Sequence, residues 1–189
     1  MKKISFILAL LMILGTMFAF SSCVGDKASK DNKIDPADAV LGDMVKAIEA
    51  KVPYSEKVSE ILYMENDPDE MVKWTYGVVD LNANELLCDY VITMPADYSH
   101  TLAILKFEDG MTDEDFEEVK AAITTEYIRS RSSALQMYMP DEYANMEWAL
   151  ANPDKVWHRY GDNMLVLAIT VDEEPKDVWT AIDNYLAGK

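Results

Sequence analysis

Cysteine, histidine, basic charge and phenylalanine are all scarce in this chain, and each scarcity excludes something. Two cysteines in 189 residues cannot build the disulfide framework that holds many small exported domains together. Two histidines, His100 and His158, leave few general bases for chemistry near neutral pH. They also form no His-x-x-x-His spacing. Lys and Arg number 17 against 34 Asp and Glu, a formal net charge of -17. That balance excludes nucleic acid as a partner, because its binders cluster Lys and Arg on one face. No Gly-x-Ser-x-Gly elbow, Ser-x-x-Lys pair or Cys-His signature is present. The acidic stretch around Gly110 is not a calcium loop, since Leu105 and Phe107 stand where oxygen ligands would be needed. Paired carboxylates among 34 acids carry no information. The sequence therefore predicts no catalytic constellation, no metal and no cofactor.

One long apolar run is present, Ile4 to Phe20, preceded by the cationic Met1-Lys2-Lys3. A charged start, an apolar stretch and small residues before a cleavage point make a secretory signal peptide. The stretch ends in Phe20-Ser21-Ser22-Cys23, which resembles the bacterial lipobox, with phenylalanine where leucine is usual. Cys23 would then carry a diacylglyceryl thioether and become the new N-terminus. Two acyl chains give stable membrane attachment where one does not. Loss of Lys2 and Lys3 leaves the mature chain two units more acidic. Val24 to Ile34 has no aromatic residue and is rich in Lys, Asp, Ser and Ala, as a flexible tether is. As coil it would reach roughly 18 Å. The predicted organisation is a signal peptide over 1–22, a lipidated tether over 23–34 and one folded domain over 35–189. About 155 residues suffice for one domain with its own core. Cys88, among Leu86, Leu87 and Val91, is expected to be a small buried apolar group.

Along that domain, Asp35-Pro36 signals a helix start, and Leu41, Met44, Val45 and Ile48 recur at helical spacing, so a helix is predicted over 36–50. Tyr54 to Asn66 suggests a second, short helix; 67–84 has no clear pattern. Glu85 to Met94 and Thr101 to Phe107 read as strands joined through Asp97-Tyr98-Ser99 into a hairpin. Thr112-Asp113-Glu114-Asp115 caps a long helix. Its apolar stripe is Phe116, Val119, Ile123, Tyr127, Ser130, Ala134 and Tyr138, narrowing at Ser130 and Ala134. Met139-Pro140 breaks it, and a helix follows over 141–150, then a turn at Asn152-Pro153-Asp154. Val156 to Tyr160 and Met164 to Val171 flank Gly161-Asp162-Asn163 as a second hairpin, with Leu165, Leu167, Ile169 and Val171 on the core face. Glu174-Pro175 opens a last helix with Val178, Ile182, Tyr185 and Leu186 inward. The fold class is α+β: an antiparallel sheet of two hairpins, a long helix between them, and helices on one face.

From about Leu86 onward the chain resembles a family of small lipoproteins of Gram-positive bacteria, catalogued as domain of unknown function four-three-five-eight. The resemblance is carried by Tyr90-Val91-Ile92-Thr93-Met94-Pro95 and by Ile104-Leu105-Lys106-Phe107 ahead of a long helix with Arg129 and Arg131. Its most specific piece is Tyr138-Met139-Pro140-Asp141-Glu142-Tyr143, similar to the family's Tyr-Leu-Pro-acid-Gln-Tyr. A glycine turn into an apolar strand at Gly161 completes it. The family's glutamate near His100-Thr101 is absent, and Glu142 replaces a glutamine. The resemblance implies an extracytoplasmic lipoprotein and lends no activity.

Beyond Cys23, the candidate functional residues are Arg129, Arg131, Tyr138 and Tyr143. Ten Tyr and four Trp, against only Phe107 and Phe116 after the signal, favour surfaces that are apolar in body and polar at the tip. An Arg beside them in so acidic a chain either pairs locally or meets an anionic ligand. The expected function is a non-enzymatic binding or accessory domain, lipid-anchored on the outer face of the cytoplasmic membrane, with a cell-envelope protein or glycan as partner. The alternative is a hydrolase directed at cell wall or polysaccharide that uses paired carboxylates.

Overall fold

The alternation of buried side chains along the strands dictates the architecture. In β2 (Leu87–Pro95), Tyr90 and Ile92 join one apolar cluster and Val91 the other. In β3 (Thr101–Phe107), Ala103, Leu105 and Phe107 face the first cluster, Leu102 and Ile104 the second. All six residues of β5 (Met164–Ile169) are buried. A strand apolar on both faces must be covered on both. The computed structural model describes residues 33–67, 70, 73, 75–95, 100–138, 140–170 and 173–189, without the side chains of 95, 134–135, 137–138 and 140–142. Cys23, the tether up to 32, the turn at 97–99, Trp74, Met139 and Val171 lie outside those residues.

With β1 (Val58–Tyr63) and β4 (Trp157–Tyr160), the strands form one antiparallel sheet in the order β1-β2-β3-β5-β4. Val91 opposes Ile104, and Leu105 opposes Leu165. The α+β class expected from sequence is the class observed. Two details differ. Residues 58–63 form an edge strand rather than a short helix: they pair antiparallel with β2, and Ile61 and Tyr63 pack on one cluster while Leu62 packs on the other. Helices lie on both faces of the sheet, not on one. The expectation considered Leu165, Leu167 and Ile169 but not Met164, Val166 and Ala168 between them, which need burial equally.

The second face is covered by α1 (Leu41–Glu49) and the C-terminal helix. Asp35 caps a 3-10 turn at Pro36–Asp38, accepting from the Ala37 amide at 3.0 Å. Ala39 and Val40 are extended, so the helix restarts at Leu41 instead of running from 36. The Tyr185 hydroxyl accepts from the Val40 amide at 3.0 Å and joins the two helices.

The first face is covered by a short helix, α2 (Ala83–Leu86), and by the long helix. The long helix begins as α3 (Asp113–Ile123) with the expected capping box: Thr112 accepts from the Asp115 amide and Asp115 from that of Thr112. It passes through a π-helical segment, Thr124–Arg129, and ends as α4 (Ser130–Tyr138). Then come α5 (Pro140–Ala151) and a four-residue α6 (Pro153–Val156), which starts where a plain turn was expected. The last helix is α7 (Lys176–Leu186).

The predicted stripe holds at Phe116, Val119, Ile123 and Tyr127, all buried, and is displaced beyond the π segment. A π turn takes in an extra residue, so both Tyr127 and Ile128 point inward, 2% and 1% exposed, followed by Ser132 at 4%. Ser130 is exposed. Gly77 explains why the chain can pass so close here. Its φ is +72°, and a Cβ there would stand 2.5 Å from Cγ of Glu126, inside the π segment.

Candidate functional site

The π segment also builds the groove that holds Arg129. Thr124, Thr125 and Arg129 line it together with Glu117, Lys120 and Ala121 of α3, and Pro153, Asp154 and Trp157 close the far wall, enclosing about 470 Å³. On a regular helix, positions nine apart such as Lys120 and Arg129 differ by about 2.5 turns and face opposite ways. The altered winding brings both to one groove. Lys120 donates to Glu117 at 2.6 Å, while the indole of Trp157 is nearly buried. Two cations and two carboxylates thus share this wall, a local balance in a strongly acidic chain. Single π turns inside helices concentrate at functional sites.

Arg131, two residues on, has different surroundings. Its guanidinium carbon lies 5.8 Å from the ring centroid of Tyr127, within reach of a cation–π attraction. Tyr127 stacks on Tyr76 with centroids 4.3 Å apart, and burial drives the Tyr76 phenol well above its ordinary value. Tyr143 is half-buried against the same cluster. In that region the Ser132 hydroxyl donates to Glu147 at 3.0 Å and ties α4 to α5. The side chain of Tyr138 lies outside the described residues. Among the four candidates, then, Arg129 lines the groove, while Arg131 and Tyr143 belong to the packed flank of the long helix. Sequence reasoning did not name Lys120, Thr124, Thr125 or Trp157. A regular helical wheel sets Lys120 beside Thr124 and Thr125 beside Arg129 at i, i+4, but it neither joins Lys120 to Arg129 nor brings Trp157 to them.

The remaining reactive groups are spoken for. Cys88 is half-buried rather than buried as expected; its thiol lies 3.4 Å from the Lys106 carbonyl, and partial burial raises its pKa, which disfavours the nucleophilic thiolate. His100 meets the Tyr54 ring edge-on at 6.1 Å. His158 stacks on Trp179 with centroids 4.1 Å apart and planes 4° from parallel. Among the described residues there is no group of three or more His, Cys, Asp or Glu that could hold a metal ion, and no helix long and apolar enough to cross a membrane.

Compared with protein-family models, with curated proteins and with solved structures, the chain matches none.

Proposed function

We propose that this chain is a lipid-anchored accessory domain, held outside the cytoplasmic membrane through Cys23, that binds a cell-envelope partner in the groove at Arg129. The apolar run ending at Cys23 and the lipoprotein resemblance support the anchor. The single observation that carries the binding site is the groove itself. A π segment, which departs from regular helical hydrogen bonding, stands where the groove gathers Lys120, Arg129 and Trp157. An anionic group on the partner would meet Arg129, and an apolar group would lie on the indole.

A photo-crosslinking amino acid at position 125, used in intact cells with mass spectrometry of the adducts, tests this. The expected result is a discrete adduct in the membrane fraction that Arg129→Glu abolishes. An adduct pattern indifferent to Arg129→Glu, or none at all, overturns the groove. Labelled fatty acid is expected to enter the full chain in intact bacteria and not its Cys23→Ala variant; a protein that takes up no label would overturn the anchor.

One observation favours the second reading, a polysaccharide hydrolase. Glu65 and Asp89 line one cleft elsewhere on the molecule, and burial raises the pKa of Asp89, with Glu65 adding to the effect, as a general acid requires. Reducing ends released from soluble wall glycan by the full chain, and lost in Asp89→Asn, would move the assignment there.

A further inference from the structure

The cleft holding Asp89 has a lining unlike that of the Arg129 groove. It encloses about 630 Å³ on the face of the sheet covered by α1 and α7. Its floor is a cross-strand pair, Asp89 of β2 opposite Lys106 of β3. A register shift between Leu87 and Asp89 places Asp89 here, and such bulges commonly re-aim a side chain beside a site. One wall is the first turn of α1, including Gly42, and the other carries Tyr63, Glu65 and Asn66.

The polar groups are only partly used. The Lys106 ammonium donates to the Ala39 carbonyl at 3.1 Å, and an ammonium has three donors. Asp89 accepts from the Tyr90 amide at 2.8 Å through one oxygen. A donor and an acceptor therefore stand side by side on the floor, with an amide at Asn66 and a phenol at Tyr63 above them. Three carboxylates, Asp38, Glu65 and Asp89, and two ammonium groups, Lys106 and Lys46 (the latter paired with Asp43 at 2.7 Å), border the cleft, so a simple anion meets more negative than positive groups there. A simple cation is disfavoured by Lys106 opposite Asp89. What remains is a neutral ligand whose groups both donate and accept. Hydroxyls do so, and a pyranose ring also presents a C–H face to an aromatic side chain.

We infer that this cleft is a binding subsite for a neutral sugar ring of a glycan, held by Asp89, Lys106 and Asn66, with Tyr63 as its wall. The inference rests on the same cleft as the hydrolase reading but needs no cleavage, so binding without turnover sustains it while ending that reading.

Saturation-transfer NMR on the full chain, with chitotriose and cellotriose as probes, tests it. Transfer to at least one trisaccharide is expected, with affinity weakened about tenfold in Asp89→Asn, the loss of one charge-assisted hydrogen bond. Gly42→Leu supplies the second variant. Only Cε1 of Tyr63, at 3.9 Å, stands near a Cβ placed there, and leucine favours the helix over glycine. It should therefore fill the cleft without loss of thermal stability and abolish transfer. Absence of transfer to both sugars, transfer that survives Gly42→Leu, or displacement of sugar by equimolar spermidine or phosphate overturns the inference.

Discussion

The two faces of the sheet are covered by helices of different regularity. On one, α1 and α7 are uninterrupted, and Met44, Ile48, Val178 and Ile182 are fully buried at plain helical spacing. On the other, the long helix changes winding midway, and its buried set jumps from Ile123 to the adjacent pair Tyr127 and Ile128, then to Ser132. The regular face is a lid. The irregular face is a lid that also opens a groove. Departure from the 3.6 period thus coincides with the place where the covering helix also lines a groove.

The comparison breaks most easily at Ile128. Ile128→Ala is expected to destabilise the fold by about 3 kcal/mol, as much as Ile182→Ala on the regular face, because each leaves a cavity under a fully covered helix. Ser130→Leu should change stability by less than about 0.5 kcal/mol, as exposed sites do. Urea unfolding that reversed the order of 128 and 130 would remove the π segment from the account. The next effect in size belongs to Gly77. Gly77→Ala puts a side chain at positive φ and against Glu126, and should cost about 2 kcal/mol. Adding Glu126→Ala should recover only part, since Cβ of Glu126 at 2.9 Å remains too close. Full recovery would mean that only the flexible tip of Glu126 was in the way.

These positions also explain what could be read from sequence. The regular face was legible residue by residue: Leu41, Met44, Val45 and Ile48 carry a clean period, and Glu174-Pro175 announces α7 where it starts. Strands β2, β3, β4 and β5 were legible for the same reason. The covering of both faces was present in Met164-Leu165-Val166-Leu167-Ala168-Ile169, an unbroken apolar run of the kind doubly buried strands have. It was missed because one alternating half already sufficed for a core. The π segment left no such trace. Thr124 to Arg129 has no glycine or proline, its β-branched and aromatic residues lower helix propensity only slightly, and the segment packs against Tyr76 and Gly77, which no local pattern announces. Hence Arg129 was named as a candidate while its neighbours in the groove were not. The Asp89 cleft needed the register of two strands, which a single strand pattern does not supply.

Smaller effects sharpen the comparison at the rim. Arg159 of β4 pairs with Asp113 at 2.5 Å and Asp162 at 2.8 Å, and its guanidinium lies 4.0 Å over the Phe116 ring. It clamps the start of the long helix to the last hairpin. Arg159→Ala should cost about 1 kcal/mol, an ordinary value for an exposed pair with a cation–π contact. Raising the salt concentration should reduce only the ion-pair share of that loss. A loss that vanished entirely in high salt would mean the Phe116 contact contributes nothing.

Strand β4 serves both faces at once: Trp157 belongs to the cluster under the long helix and closes the groove, while its neighbour His158 stacks on Trp179 of α7. Burial lowers the pKa of His158. Asp183 and Glu174 pull it back up without cancelling the shift, and Lys155 adds to the lowering. A depressed histidine pKa means the folded state prefers the neutral ring, so fewer protons are bound folded than unfolded. The contribution is therefore complete above the ordinary histidine value near 6.5 and is lost as pH falls below it towards the folded value. His158→Gln, neutral at every pH, should flatten the fall in unfolding free energy between about pH 7 and pH 5 and leave the groove unchanged. If the wild type and the variant lose stability in parallel over that range, the stack on Trp179 does not discriminate between the two forms of the ring, and the regular face is as insensitive to acid as its plain helices suggest.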